Sequence, residues 1–309
     1  MRTLSAILAV AVYFGGATFD AFAQTSEAMP PRKPSPLTVR QIHSGHSLSD
    51  TYGAAPWPGR LILATAARAG EQSAHRTIFR SIIPGASLGW RWKHTTGRPD
   101  AREHISEAEL LVTTERVPLA PDAATLKVDT LDWLDKWVAH AGQKGNGGKG
   151  AEVLIYSTWI PWRSSGNSDQ HIPFRKNLEI QGASWELMQD TANANRPSGM
   201  PLIYMIPGHR LMMRIYDDIK SGVAPGLSSI GDLFTDDIHL NDLGQYAITC
   251  LVYGVIYQRD PREIPARLVI PRNAQSREHD TLSREQADYF KAIAWSVATS
   301  YPRSGVPPK

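Results

Sequence analysis

The chain has 309 residues, 42% of them hydrophobic and 20% charged, which is ordinary for a globular protein. Its formal net charge is +3 and its pI about 8.9. With no long Lys/Arg run, nucleic acid is a poor candidate partner.

Arg2 precedes an apolar run from Leu4 to Phe14, and Ala21-Phe22-Ala23 makes a small-x-small pattern before Gln24. Residues 1–23 therefore read as a secretory signal peptide. The run is shorter than the roughly 20 residues of a comfortable membrane span; an uncleaved anchor is the other reading. The expected location is periplasmic or secreted, with no stable membrane insertion after cleavage. Residues 24–36, QTSEAMPPRKPSP, read as a disordered tether. Residues 37–309 read as a single domain that ends in a C-terminal helical extension.

Within that domain, LTVRQIHSG reads as the first strand, because β-branched residues run into a glycine. The segment LSDTYGAAPWPGRLILATAARAG reads as a loop-broken helical region. RTIFRSIIPG and AELLVTTE read as the second and third strands. AATLKVDTLDWLDKWVAHAGQ is the clearest helix, since Leu131, Leu134 and Val138 share a face at three- and four-residue spacing. KGNGGKG should stop it. AEVLIYSTW is a fourth strand. FRKNLEIQGASWELMQDTANAN reads as a helix with Gly182 as a weak point. MPLIYMIPG is a fifth strand, followed by the helix HRLMMRIYDDIKSG. LGQYAITCLVYGVIYQ and REQADYFKAIAWSVATSY read as the last two helices. Strands that alternate with helices predict parallel βαβ units, hence an α/β fold with helices on both faces of a mainly parallel five-stranded sheet.

Sites in such sheets form beyond the carboxyl ends of the strands. Ser47 follows the first strand, where backbone N–H groups at a helix start could stabilise negative charge. The alternative is a structural turn serine. Asp236 stands three positions before His239, a spacing that lets the carboxylate orient the imidazole. Asn241 or Asp242 could cap the following helix regardless of what His239 does. Cys250 is the single cysteine, so no internal disulfide can form, and its apolar context reads as a buried, inert thiol.

Ser47 near the start and Asp-x-x-His near the end, in SGHSLSD and DDIHLNDLG, resemble the SGNH hydrolases, also called GDSL esterases. The resemblance covers about residues 38 to 258 and implies a flavodoxin-like three-layer α/β/α sandwich. It implies Ser47 as nucleophile, His239 as base and Asp236 as its orienter, with no metal and no cofactor. His46 stands where the common first block has Asp. IIPGASLGW offers Gly85 as an oxyanion-hole glycine, with Gly89 as second choice. The third block's Asn is missing from LLVTTERVPLA, where Thr114 could donate through its hydroxyl and Glu115 only if protonated. The remaining oxyanion donor is the backbone N–H of Ser47.

His43, His46 and His239 together could form a metal site, though the first two would face opposite ways in an extended chain. His209 follows the fifth strand, as a rim or capping residue. Trp90 and Trp92 follow the second strand, and Trp159 and Trp162 the fourth. They are candidate substrate contacts, with Arg91 and Arg163 able to meet a carboxylate, unless the rings pack loops onto the core. The function expected is an exported serine esterase acting on an O-acyl ester, such as an acylated carbohydrate. The alternatives are an O-acyltransferase on a glycan and a non-catalytic glycan-binding protein that keeps the fold.

Overall fold

The computed structural model describes residues 29–49, 78–94, 100–120, 122–163, 172–264 and 282–308. The expected signal peptide and the helical region after the first strand lie outside the described residues, apart from Leu48 and Ser49. Five strands form one sheet: β1 (Gln41–Gly45), β2 (Ile78–Ile82), β3 (Leu110–Thr113), β4 (Glu152–Ser157) and β5 (Tyr204–Pro207). Every neighbouring pair is parallel, and the order is β2-β1-β3-β4-β5. This is the flavodoxin-like order, in which the chain reverses direction across the sheet beside β1.

The strands read as continuous apolar runs because both faces are covered. Successive residues alternate between two cores. Leu110, Val112, Leu154, Tyr156, Tyr204 and Ile206 face one core. Ile42, Leu111, Val153, Ile155 and Met205 face the other. The helices are α1 (Leu88–Lys93), α2 (Ala101–His104), α3 (Ala123–Leu126), α4 (Asp132–Gly148), α5 (Phe174–Asn195), α6 (Gly208–Lys220), α7 (Asp242–Tyr257) and α8 (Arg284–Ser300). Helices α6, α7 and α8 bury Leu211, Met212, Leu251, Val255, Phe290 and Ala294 in the first core. The first two turns of α4 and the middle of α5 bury Leu134, Trp137, Trp185 and Met188 in the second. Fully burying a large apolar side chain contributes about 1.5–3 kcal/mol, so these two layers hold the sheet rigid. Cys250 is completely buried in α7, and burial pushes its thiol pKa up.

The expected break falls within the last turn of α4, where Gly145, Asn146 and Gly147 leave helical geometry, Asn146 and Gly147 at positive φ. Gly182 sits inside α5 for a packing reason. A Cβ there would lie 3.1 Å from the ring of His209.

Residues 29–36 differ from the expected tether, because they are packed on the domain. Arg32 is buried and donates to Glu152 Oε2 at 2.7 Å and to the carbonyls of Val255 and Ile256 at 3.1 and 2.8 Å. Its own N–H donates to Gly305 O at 2.7 Å. One arginine with five accepting residues, Ser35 among them, anchors a segment whose proline-rich composition reads as loose. No helix among the described residues is long and apolar enough to cross a membrane.

Candidate functional site

The candidate site forms where β1 ends. Ser47 opens a short 3₁₀ turn, Ser47–Ser49, immediately beyond the strand. Gly45 is required for that turn, since a Cβ there would sit 2.1 Å from Ser49 Oγ. The Ser49 N–H donates to His46 O at 2.8 Å and closes the turn.

His46 is built into this turn and is buried. Its Nδ1 accepts the Leu48 N–H at 3.3 Å, so the ring proton is on Nε2, which donates to Glu115 O at 2.9 Å. Burial, with Arg91 nearby, lowers its pKa to about 4. With both nitrogens engaged, His46 has no lone pair left for a metal. His43 points elsewhere. Its Nε2–H donates to Gln41 Oε1 at 2.7 Å, and burial lowers its pKa to about 3.

The second half of the site is the loop before α7. Phe234 and Leu240 bridge its base, and Thr235 N–H donates to His239 O at 2.8 Å. Asp236 Oδ1 accepts the N–H groups of Ile238 and His239 at 2.8 and 2.7 Å. Asp236 Oδ2 accepts from His239 Nδ1 at 2.7 Å. A carboxylate can only accept, so Nδ1 carries the proton and Nε2 is the acceptor for Ser47 Oγ, 2.9 Å away. Slight burial pushes the Asp236 carboxyl up, but the donors from His239 and Ile238 outweigh it and hold the pKa at about 2. Asn241 caps α7, accepting from Leu243 and Gly244 N–H at 3.0 and 3.3 Å. The loop is therefore pinned at both ends while the His239 side chain remains 44% exposed.

Two of the four tryptophans hold this loop. Trp159 is fully buried and donates its indole N–H to Ile238 O at 2.7 Å. Trp162 donates to Asp236 O at 3.0 Å and stacks on Phe234. Its backbone N–H reaches Asp237 O at 2.9 Å, and Arg163 N–H reaches Asp237 Oδ1 at 2.6 Å. The substrate-contact expectation is thus corrected for Trp159, whose side chain is fully buried; the half-buried Trp162 also spends its indole N–H on the loop that carries Asp236 and His239. Trp92 is also a packing residue, edge-on to Trp137 at 5.3 Å and to His140 at 5.7 Å. Trp90 lines an open cavity of about 390 Å³, next to Glu115 and Arg116.

The expected oxyanion donors separate in the same way. Gly85 is exposed in the turn after β2, at φ +69°, a backbone that favours glycine. Neither the Ser47 N–H nor the Gly85 N–H donates to an acceptor among the described residues. Gly89 lies inside α1, where a Cβ would meet the Trp133 indole at 2.7 Å. Thr114 is buried, and its hydroxyl donates to Glu115 O at 3.4 Å rather than outward. Glu115 is buried and its carboxylate accepts the Leu88 N–H at 3.2 Å and the Arg116 N–H at 2.5 Å. Burial pushes its carboxyl pKa up, against the pull of Arg91.

Arg91, expected at an exposed rim, is instead buried. It donates to Ala86 O at 2.7 Å and to Thr114 O, tying the post-β2 turn to the end of β3. Burial lowers its pKa to about 10, so it stays charged at neutral pH. An Arg in a WRWK run carries no sequence signal for this role. His209 is not a rim residue either. It is fully buried, bonded to Ser157 Oγ at 2.7 Å, with its pKa lowered to about 3 by burial and Arg210.

No family model matches the chain, and no curated protein matches it. Among solved structures the chain is similar to a gut microbial diltiazem-metabolizing enzyme, with a TM-score of 0.45 and 12% identity over 74% of this chain and 48% of that one. It is similar to a proposed SGNH hydrolase from Slackia heliotrinireducens, at 0.42 and 15% over 69% of this chain and 95% of that one. It is also similar to the lipase/acylhydrolase from Enterococcus faecalis, at 0.40 and 12% over 74% and 98%. The chain spans about half the length of the first of these. What the sheet order and the two helical layers establish is an α/β sandwich of the flavodoxin-like class.

Proposed function

We propose that the chain is a serine esterase of the SGNH kind, made with a leader that exports it. The observation that carries this reading is the hydrogen-bonded line Asp236–His239–Ser47, at 2.7 and 2.9 Å, beyond the carboxyl end of β1. Nucleophile, base and orienter must lie within hydrogen-bond reach of one another in that sequence.

In the reaction, His239 Nε2 takes the Ser47 proton as Oγ attacks the ester carbonyl. Asp236, ionised down to about pH 2, stabilises the imidazolium that forms. The N–H groups of Ser47 and Gly85 receive the oxyanion. His239 returns the proton to the leaving alcohol, and water repeats the cycle on the acyl-enzyme. No third donor of the asparagine type follows β3. Glu115 occupies that region with a raised carboxyl pKa and donates only in its protonated form. Missing one oxyanion donor costs about 10²–10³ in rate, so turnover should be modest.

The test is hydrolysis of p-nitrophenyl acetate and butyrate by the parent protein and by Ser47→Ala and His239→Ala. The reading expects activity in the parent and its loss in both folded variants. Activity that survives Ser47→Ala would remove the nucleophile assignment.

A further inference from the structure

The cavity beside Glu115 is a built feature that the ester chemistry does not use. Its volume is about 390 Å³, within the range of small-molecule sites. Trp90 and Trp133 form its aromatic walls, and Lys93, Arg116 and Asp129 are its exposed charges. Trp133 is held in place across α1 by the absence of a side chain at Gly89. Lys93 Nζ lies 4.5 Å from the Trp133 ring centroid, and Lys136 Nζ 3.9 Å from it. Trp90 is stacked on His94 at 4.3 Å. Both indoles are therefore fixed before any ligand arrives.

Of the exposed charges of the lining, two are cations, Lys93 and Arg116, and one is an acid, Asp129. Among the described residues neither Lys93 nor Arg116 has a carboxylate within 4.0 Å. The Glu115 carboxylate faces the Leu88 and Arg116 N–H groups, and Asp129 is the single exposed acid of the lining. The lining mixes Trp90, Trp133, Leu119 and Ala120 with charged and hydroxyl side chains, which suits a polar molecule with an apolar face better than a bare acyl chain. A bare anion would have no use for two indoles. A sugar ring has an apolar C–H face for an indole and hydroxyls for polar neighbours, and a carboxylate on it would answer Lys93 and Arg116.

We infer that this cavity is a subsite for an anionic saccharide, a uronic acid residue of the ester's carbohydrate part. The inference rests on the esterase reading only in assigning the sugar to the substrate. The link between the two sites is Glu115. Its side chain lines the cavity, and its carbonyl accepts from the ring of His46, the residue before the proposed nucleophile.

The experiment is calorimetric titration of the full chain with methyl β-D-glucuronide, methyl β-D-glucoside, acetate and inorganic phosphate. The parent, Ser47→Ala, Lys93→Ala and Arg116→Ala are compared. The glucuronide should bind about tenfold to a hundredfold more tightly than the glucoside, the worth of a charge-assisted hydrogen bond. Lys93→Ala and Arg116→Ala should erase that preference, and Ser47→Ala should keep it. Equal binding of glucuronide and glucoside, no binding of either, or a preference untouched by both cation variants would overturn the inference. Acetate or phosphate binding as tightly as the glucuronide would overturn the saccharide assignment. Failure of the esterase reading stays distinguishable, because Ser47→Ala binding does not depend on turnover.

Discussion

The indole N–H of Trp159 donates to the carbonyl of Ile238 at 2.7 Å, from a side chain with no exposed surface. That bond joins the end of β4 to the middle of the loop that presents Asp236 and His239. Trp159→Phe removes the donor and replaces the buried indole with a smaller phenyl ring. Leaving the half-buried Ile238 carbonyl unmet, together with the packing lost, costs about 1–3 kcal/mol, or roughly 2–4 °C in melting temperature for each kcal/mol. A loop free to drift should lower kcat for p-nitrophenyl acetate several-fold and leave KM unchanged. Steady-state kinetics beside a melting curve checks both parts.

Arg91 gives a sharper stability prediction. Its guanidinium satisfies the carbonyls of Ala86 and Thr114 inside the protein, with the Glu115 charge close by. Arg91→Met would strand both carbonyls and leave Glu115 without its compensating cation. Breaking one side of a buried charge arrangement costs about 3–5 kcal/mol. The urea midpoint should fall accordingly, and Glu115→Gln in the same chain should recover part of the loss.

Acid should destabilise the protein well above the carboxylate range. Burial lowers the pKa values of His43 and His209 to about 3 and that of His46 to about 4, from an ordinary 6.5. As pH falls from 6.5 towards 4, the unfolded chain takes up protons at these three positions that the folded chain refuses. Stability therefore drops with pH in that window, by up to about 1.4 kcal/mol per pH unit for each ring. Urea unfolding at pH 7.5, 6 and 5 measures the slope. His209→Asn should reduce it by about one proton's worth, and equal stability at pH 7.5 and 5 would contradict the burial argument.

Gly182 was legible as a flaw in an otherwise regular helix, but not its cause. The ring of His209 on α6 lies 3.1 Å from where a Cβ would be. Because His209 is fully buried it has little room to retreat. Gly182→Ala should therefore destabilise by about 1–3 kcal/mol, although alanine is the better helix former. A higher melting temperature for Gly182→Ala would show that the ring gives way.

The same contrast separates what the sequence reveals from what it hides. The five strands could be read because parallel strands covered on both faces are short apolar runs, and four of them end in a glycine, threonine, serine or proline. Ser47, Asp236 and His239 could be nominated because a serine after the first strand and a late Asp-x-x-His are local patterns that together resemble the SGNH blocks. The roles of Trp159, Trp162 and Arg91 could not. An exposed Trp beside Arg and a buried Trp that braces a carbonyl have the same one-letter neighbourhood, and only tertiary contact decides between them. Arg32 misled in the opposite direction. A single buried guanidinium turned part of a proline-rich segment into a packed strap.

The most direct test of the central claim is covalent labelling of the full chain by a fluorophosphonate, with the modified peptide identified by mass spectrometry. The Asp236–His239–Ser47 account predicts one adduct, on Ser47, formed at least about a hundredfold more slowly in His239→Ala, as expected when a general base is lost. No adduct on Ser47, or equal labelling in the folded His239→Ala variant, would contradict it.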